Sequence, residues 1–396
     1  MRDHCHGMRA SAEVVVVGGG ISGVCVAWEL ARRGVRDVVL VERDYLAAGP
    51  TGRSGAVVRC HYSTPELVRL AIEGRRFYQH AVDLVGDDCG FRKVGFLAAV
   101  PGPEVAALEA KVRMQREAGL ADVRLLRGAE IREVEPQLDL SEVGAAAYEP
   151  ESGHASPVRA TRAIGRAAQA LGVEIRQGCR VDDVRVEAGR VAAVVTSEGT
   201  IATRAVVCAA GPWTRRIVQR VGSDVPTTIL RNAMALFLRP PGFERQHAVL
   251  IDHARRFYAR PDGLLSLTGS VDEAENQPVA DPDDYDRTVH GDEFRTFGDR
   301  IGRAYPAMRG AAERGGWVGL YDVSPDWLHL IDEVPGAAGL WILCGTSGHG
   351  FKLAPAIGRV VADLLLNGPD GCPEAPFFRL ARLAAGRRPA GFGVLS

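Results

Sequence analysis

Six consecutive residues, Gly18-Gly19-Gly20-Ile21-Ser22-Gly23, have the types and spacing to hold a pyrophosphate. Gly18 can make a tight turn, Gly20 lets backbone approach an anion, and Gly23 lets a helix pack closely on a strand. A helix that starts here presents unpaired N–H groups and a partial positive charge to phosphates. Glu42 follows Gly23 by about twenty residues, the distance at which an acid meets a ribose hydroxyl, and its charge argues against a 2′-phosphate. The flanking pattern agrees: Val14-Val15-Val16-Val17 reads as a strand, 23–33 as a helix with Val26, Ala27 and Leu30 inward, and Val38-Val39-Leu40-Val41 as a second strand ending at Glu42. A glycine fingerprint alone is weak. Strand, helix and acid together make a bound dinucleotide the reading, over a purely structural βαβ unit.

Cations are the second signal. Lysine occurs only at Lys93, Lys111 and Lys352, the other basic residues being arginine, so each lysine can be weighed singly. Lys93 and Lys111 fall in polar turn and helical contexts. Lys352 closes Gly345-Thr346-Ser347-Gly348-His349-Gly350-Phe351-Lys352, which joins a strand at 340–343 to a helix running to about 366 and ending at Asn367-Gly368. A second small-residue loop, 47–55, leads into Ala56-Val57-Val58-Arg59 and lets backbone lie against a ligand.

The elements that must position these residues can be read in order. Thr64-Pro65 starts a helix, with the Thr64 hydroxyl as cap and Leu67, Leu70, Ala71, Phe77, Tyr78, Ala81 and Leu84 as its core face. From 86 to 151 the pattern changes to that of an insertion packing elsewhere: a strand at 94–100, a helix at 103–118 and a short helix at 129–134. Ser156-Pro157 opens another helix, 173–175 is a strand, 181–196 is a hairpin turning at Ala188-Gly189, and 205–211 is a buried strand. Alternation over 232–269 predicts antiparallel strands, 281–286 is an acidic loop, and 290–305 is helical. The tail after Ala385 reads as loose.

A chain of 396 residues predicts two domains, and a net charge of −1 offers no field to nucleic acid or an anionic membrane. The eight cysteines are scattered without a C-x-x-C pair, which fits buried thiols in a reducing, cytoplasmic setting. The leader, 1–13, lacks an apolar h-region and is not a signal peptide. His4, Cys5 and His6 could bind a metal but read as a terminal tail, so no metal is expected. No run is apolar enough to span a bilayer.

The glycine fingerprint, the Ala209-Ala210-Gly211-Pro212-Trp213 block and the Gly-Thr-Ser-Gly-His-Gly-Phe block together resemble the FAD-dependent amine oxidoreductases, the family of D-amino acid oxidase, glycine oxidase, sarcosine oxidase and dimethylglycine dehydrogenase. The likeness runs from about 13 to 368. Its most specific part, Trp317 through Asp326 and then Ala354 through Arg359, is similar to the β subunit of sarcosine oxidase. The resemblance implies an α/β fold: a Rossmann-like FAD-binding domain assembled from 11–85, 153–225 and 316–370, a substrate domain on a large mixed or antiparallel sheet from 86–152 and 226–315, and a tail, 371–396. It implies FAD contacts at Gly18, Gly20, Ile21, Ser22, Gly23, Glu42, Arg43, Thr51, Ser54, Gly55, Val181, Ala210, Gly211, Trp213, Gly345, Gly348, His349, Gly350, Phe351 and Lys352. The N-terminus of the last helix would face the pyrimidine side of the flavin, where negative charge gathers.

The same resemblance places a substrate carboxylate. D-amino acid and glycine oxidases use an arginine on the late strand, where this chain has Tyr321. The sarcosine oxidase branch uses an early-loop arginine and a lysine after Gly-His-Gly-Phe, matched here by Arg59 and Lys352. Tyr321 and Tyr258 would wall the pocket, and His349 and His154 are acid–base candidates, His349 being read first as a packing and hydrogen-bonding residue at the flavin edge. Gly319 stands where monomeric sarcosine oxidases attach flavin through cysteine, so noncovalent FAD is expected. The 264–269 strand lacks the lysine that activates oxygen, which leaves oxygen or an electron-carrier protein or quinone as acceptor. The implied activity is oxidation of a secondary or N-methylated α-amino acid to an imine that hydrolyses. A D-amino acid or glycine oxidase, a 2-hydroxy acid dehydrogenase, and a non-catalytic flavoprotein subunit of a larger oxidase with a partner chain stay open as alternatives.

Overall fold

A computed structural model describes residues 9–243 and 246–384. The buried run Val14–Val17 sits within a six-stranded sheet ordered Leu330–Glu333, Leu340–Cys344, Val206–Cys208, Val14–Val17, Val38–Val41, Glu174–Arg176. Every neighbouring pair is parallel except at the Leu330–Glu333 edge. Unbroken apolar strands are what a sheet covered on both faces requires. Val14, Val16, Val38 and Leu40 pack on the helices Ile21–Arg32 and Gly350–Asn367. Val15, Val17, Val39 and Val41 instead meet a three-stranded meander, Val181–Glu187, Arg190–Thr196 and Gly199–Ala202. Its first turn puts Ala188 (φ 47°) and Gly189 (φ 75°) in the left-handed region, as a two-residue hairpin favours.

The second layer is a nine-stranded sheet that draws on both remaining regions. Thr228–Leu238 pairs with Leu265–Ser270, Gln277–Val279 and Glu313–Val323, and Phe96–Val100, Arg124–Leu126 and Ala145–Glu149 extend the far side. The sheet is mixed because Val249–Asp252 runs parallel to Phe96–Val100. The helix Gly291–Ala304 covers a separate core that includes Leu97, Phe237, Phe257 and Tyr305.

Several expectations meet corrections here. The strand Glu313–Val323 pairs with Thr228–Leu238 along its length, so the domain change expected at 315/316 falls inside a strand. The helix expected from Thr64 to Leu84 breaks at His80 (φ −110°) into Pro65–Gln79 and Ala81–Val85. Only Ala81 of the second piece is buried, which leaves Leu84 43% exposed rather than in the core. The Thr64 hydroxyl is buried without a hydrogen-bond partner and caps nothing. The tail begins docked: Phe378 is buried, and Arg379 and Arg382 pair with Asp332 and Asp326. The stretch after Ala385 and the His4, Cys5 and His6 group lie outside the described residues. Among the described residues no helix is long and apolar enough to cross a membrane.

Candidate active site

A cavity of about 440 Å3 is lined by the first glycine turn, the 48–59 loop, the Ala209–Trp213 turn and the start of the last helix. At the glycine turn the backbone does the positioning. Gly18 has φ 110°, and a Cβ there would lie 2.5 Å from the Ala209 carbonyl oxygen. A Cβ at Gly23 would lie 2.0 Å from the Gly18 carbonyl oxygen, so strand and helix can cross this closely only with glycine at both places. The Thr51 hydroxyl accepts the Ile21 N–H at 3.1 Å. Glu42 accepts from the Gly19 N–H at 2.6 Å and the Asp44 N–H at 2.8 Å, which pins its carboxylate beside the turn with lone pairs left over.

The acidic loop closes this region. Asp283 accepts from Arg43 at 2.9 Å, from the Trp213 indole at 2.9 Å and from Arg216 at 2.8 Å, while the Arg43 guanidinium lies 4.6 Å from the Trp213 ring centre. A pyrophosphate-sized backbone cradle, a fixed acid and a charged clasp fit a flavin dinucleotide. Asp322 Oδ2, buried on the same wall without a partner, offers a further acceptor.

The cation end is built differently. Arg59 follows the short strand Val57–Val58, is 2% exposed, and donates to the His61 carbonyl. Lys352 lies in the first turn of Gly350–Asn367 and is 5% exposed. Two features seat that turn. Gly74 of the helix Pro65–Gln79 lets the Lys352 backbone approach, since a Cβ at Gly74 would lie 2.0 Å from the Lys352 carbonyl oxygen. Pro355 cannot donate to the Phe351 carbonyl, and the Tyr78 hydroxyl donates to it instead at 2.9 Å.

Among the described residues neither Arg59 nor Lys352 has a carboxylate within ion-pair distance. Burial, then the Arg59 charge, holds the Lys352 ammonium well below the ordinary lysine range. Glu149, the nearby acid, is fully buried, takes the Cys60 N–H at 2.8 Å and the Ser152 hydroxyl at 2.5 Å, and is itself raised by burial. Lys111 is brought down to about 8 by burial and then by Arg59. His61 and His253 are likewise kept neutral, His253 falling to about 4.

Tyr258 and Tyr321 face this end and are neutral phenols, with burial pushing Tyr321 up to about 12. Glycines make room for their rings: a Cβ at Gly269 would lie 2.7 Å from Tyr258, and one at Gly348 2.9 Å from Tyr321. Two cations without an acid of their own, flanked by neutral rings and by Met234 and Ile251, can hold an anionic group beside an apolar one.

Of the residues singled out from sequence, Arg59, Lys352, Tyr258 and Tyr321 share one wall, as do all the expected FAD contacts except three. Gly23 packs on the Gly18 carbonyl, Gly345 on Ser324 and Leu330, and His349 lies behind the wall, bonded to the Trp327 carbonyl at 2.8 Å. His154 lines a second cavity with Arg92 and Arg260 that shares Ser54 with the first, and burial brings it down to about 3. Sequence reasoning missed Arg53, Asp283 and Asp322 on the wall, and read Lys111 as a solvated helical lysine. No local pattern marks them. The rarity of lysine was the one signal that could have singled out Lys111.

The family model for the FAD-dependent oxidoreductases, DAO, matches residues 13–364. The chain belongs to that family. This oxidoreductase is 26% identical over 380 residues to mitochondrial dimethylglycine dehydrogenase of Homo sapiens, covering 92% of this chain and 43% of that protein. It is 27% identical to glycine oxidase of Pseudomonas putida over 93% of this chain and 100% of the other. Among solved structures it is similar to L-proline dehydrogenase from P. horikoshii, with a TM-score of 0.87, 26% identity, and 96% and 100% of the two chains covered. It spans under half the length of the dimethylglycine dehydrogenases it matches. The fold is the mixed α/β one of these flavoproteins, and the family is one of FAD-dependent oxidoreductases.

Proposed function

We propose that this oxidoreductase acts on a secondary or N-methylated α-amino acid. The observation that carries the reading is the pairing of Arg59 and Lys352, with no carboxylate among the described residues within ion-pair distance, on a wall shared with Tyr258 and Tyr321. A carboxylate supplies the missing counter-charge, and the desolvation already spent on the two cations makes its binding strong. An N-methyl or ring carbon then rests on the apolar surface of Met234, Ile251 and the phenols. The names of several relatives support it, sarcosine dehydrogenase of Mus musculus and L-proline dehydrogenase of P. horikoshii among them.

The contacts expected for FAD are the N-terminus of Ile21–Arg32, Glu42, the 48–55 loop and the entry to Gly350–Asn367. When bound, FAD supplies a hydride acceptor for the substrate carbon, and the resulting imine is released to water. The protein binds and orients: the cations fix the carboxylate, and the rings exclude water and hold the C–N bond in one pose. A neutral Lys352 could also take the ammonium proton that an arriving zwitterion must lose. Gly319 offers no thiol, which supports noncovalent FAD, and the strand Leu265–Ser270 offers no lysine, which supports a carrier as acceptor over fast reaction with oxygen.

Anaerobic mixing with sarcosine, dimethylglycine, proline, D-amino acids and 2-hydroxy acids, followed by flavin absorption, tests the proposal. Secondary and tertiary amino acids should bleach the flavin fastest. Bleaching by primary D-amino acids alone, or by hydroxy acids alone, overturns it.

A further inference from the structure

Both cations of the proposed carboxylate clamp meet one aromatic ring. The Arg59 guanidinium carbon lies 4.7 Å from the centre of the Tyr62 ring, and Lys352 Nζ lies 5.6 Å from it. Tyr62 is 1% exposed and is not on the cavity wall, so it reaches substrate only through these two residues. The residue is held at its backbone and at the tip of its ring. Gln115 donates to the Tyr62 carbonyl at 3.0 Å and touches His61 Nδ1 at 3.1 Å. The Tyr62 hydroxyl lies 3.4 Å from His349 Nδ1, and His349 Nε2 lies 2.8 Å from the Trp327 carbonyl. A carbonyl can only accept, so Nε2 carries the hydrogen. In the neutral ring Nδ1 is then a bare acceptor for the Tyr62 hydroxyl. Burial and the neighbouring cations keep His349 neutral.

We propose that Tyr62 is a positioning residue of the clamp: the negative face of its ring partly offsets the repulsion between Arg59 and Lys352, so that both can attend one carboxylate, and His349 serves by fixing that ring. The proposal rests on the reading of Arg59 and Lys352 as the carboxylate clamp. Its physical basis is the quadrupole of the ring, whose attraction for a desolvated cation is substantial. Without it Arg59 keeps the His61 carbonyl and the Phe96 ring, 5.7 Å from its guanidinium carbon, while Lys352 is left chiefly with burial and the repulsion of Arg59. His349, in this arrangement, is a support two contacts away from substrate and not an acid or base.

The test measures, on the FAD-loaded enzyme, the affinity for propionate, an unreactive carboxylate, from the change it causes in flavin absorption. Tyr62→Phe, which keeps the ring but loses its bond to His349, should bind propionate about threefold more weakly and Tyr62→Met about tenfold more weakly, with kcat for the best amine substrate changed far less than KM. Should Tyr62→Met not fold, phenylalanine and trifluorophenylalanine at position 62 settle the same question at nearly constant volume, and affinity must fall with fluorination. Equal affinity for Phe, Met and fluorinated variants overturns the role of Tyr62. Arg59→Met separates the two readings: if it leaves propionate binding intact the clamp itself is wrong, whereas a weakened Arg59→Met beside an unaffected Tyr62→Met sinks only the inference about Tyr62.

Discussion

The two ends of the cavity are suited to negative charge by opposite means. At the glycine turn there is little side chain at all: Gly18, Gly20 and Gly23 clear space, and helix N–H groups and one acid do the recognition. At the other end large side chains, Arg59, Lys352, Tyr258 and Tyr321, fill the wall, and among the described residues no carboxylate stands within ion-pair distance of either cation. The first end is limited by volume, since added atoms collide with backbone that cannot move. The second is limited by desolvation, since buried like charges want to lose protons or leave.

The volume limit gives the largest expected effect. Gly23→Ala puts a methyl at 2.0 Å from the Gly18 carbonyl oxygen, which no rotamer relieves. The variant should lose FAD wholly or fall into the insoluble fraction, read from its absorption spectrum after purification. A yellow, active Gly23→Ala protein would break the contrast, because the glycine end would then have slack.

The desolvation limit predicts a pH dependence. Lys352 is depressed, so in the empty site it sheds its proton below the ordinary lysine range, while a carboxylate binds its protonated form best. Propionate affinity should therefore be greatest on the acid side of the lowered value, so long as propionate itself stays ionised, and decline as pH rises through that value, by up to about tenfold per pH unit beyond it. Lys111, at about 8, adds a second decline. His61, His253 and His349 are held neutral and add none above pH 6. Lys352→Met should bind propionate more weakly with the first decline gone. An unchanged pH profile in that variant would assign the dependence to another group.

The same contrast explains what could be read from the chain alone. A constraint of volume writes itself locally: glycines at fixed spacing, a valine run before them, an acid after them. Val14–Val17 and Ile21–Arg32 form where the pattern places them. A constraint of charge is a property of what surrounds a residue in space. Lys111 looks like any helical lysine until its helix, Val105–Glu117, turns that face toward His61 and Arg59. Asp283 looks like one acid in an acidic loop until Arg43, Trp213 and Arg216 arrive from three places in the sequence. Arg59 and Lys352 came into view through resemblance, because no periodicity brings positions 59 and 352 together. The domain change implied at 315/316 falls inside the strand Glu313–Val323 for a related reason: its pairing with Thr228–Leu238, more than seventy residues earlier, leaves no local mark in the sequence.

Lys111→Met measures how much the cation end costs the fold. Methionine follows the same course as the lysine stem and brings no charge to bury. With Lys111 near 8 in the folded chain and at the ordinary lysine value of 10.5 when unfolded, the unfolded chain binds more protons between those values. Wild-type stability should thus gain as pH rises from 8 to 10.5, and the full penalty is present below 8. The variant should be more stable than wild type at pH 7 by about 1–3 kcal/mol, with allowance for a side chain still partly in water, and should melt correspondingly higher. That advantage should shrink toward pH 10 in thermal melts of the FAD-loaded enzyme. A melting difference that stays constant with pH would mean that Lys111 is solvated after all, and that the strain of unbalanced charge is confined to Arg59 and Lys352.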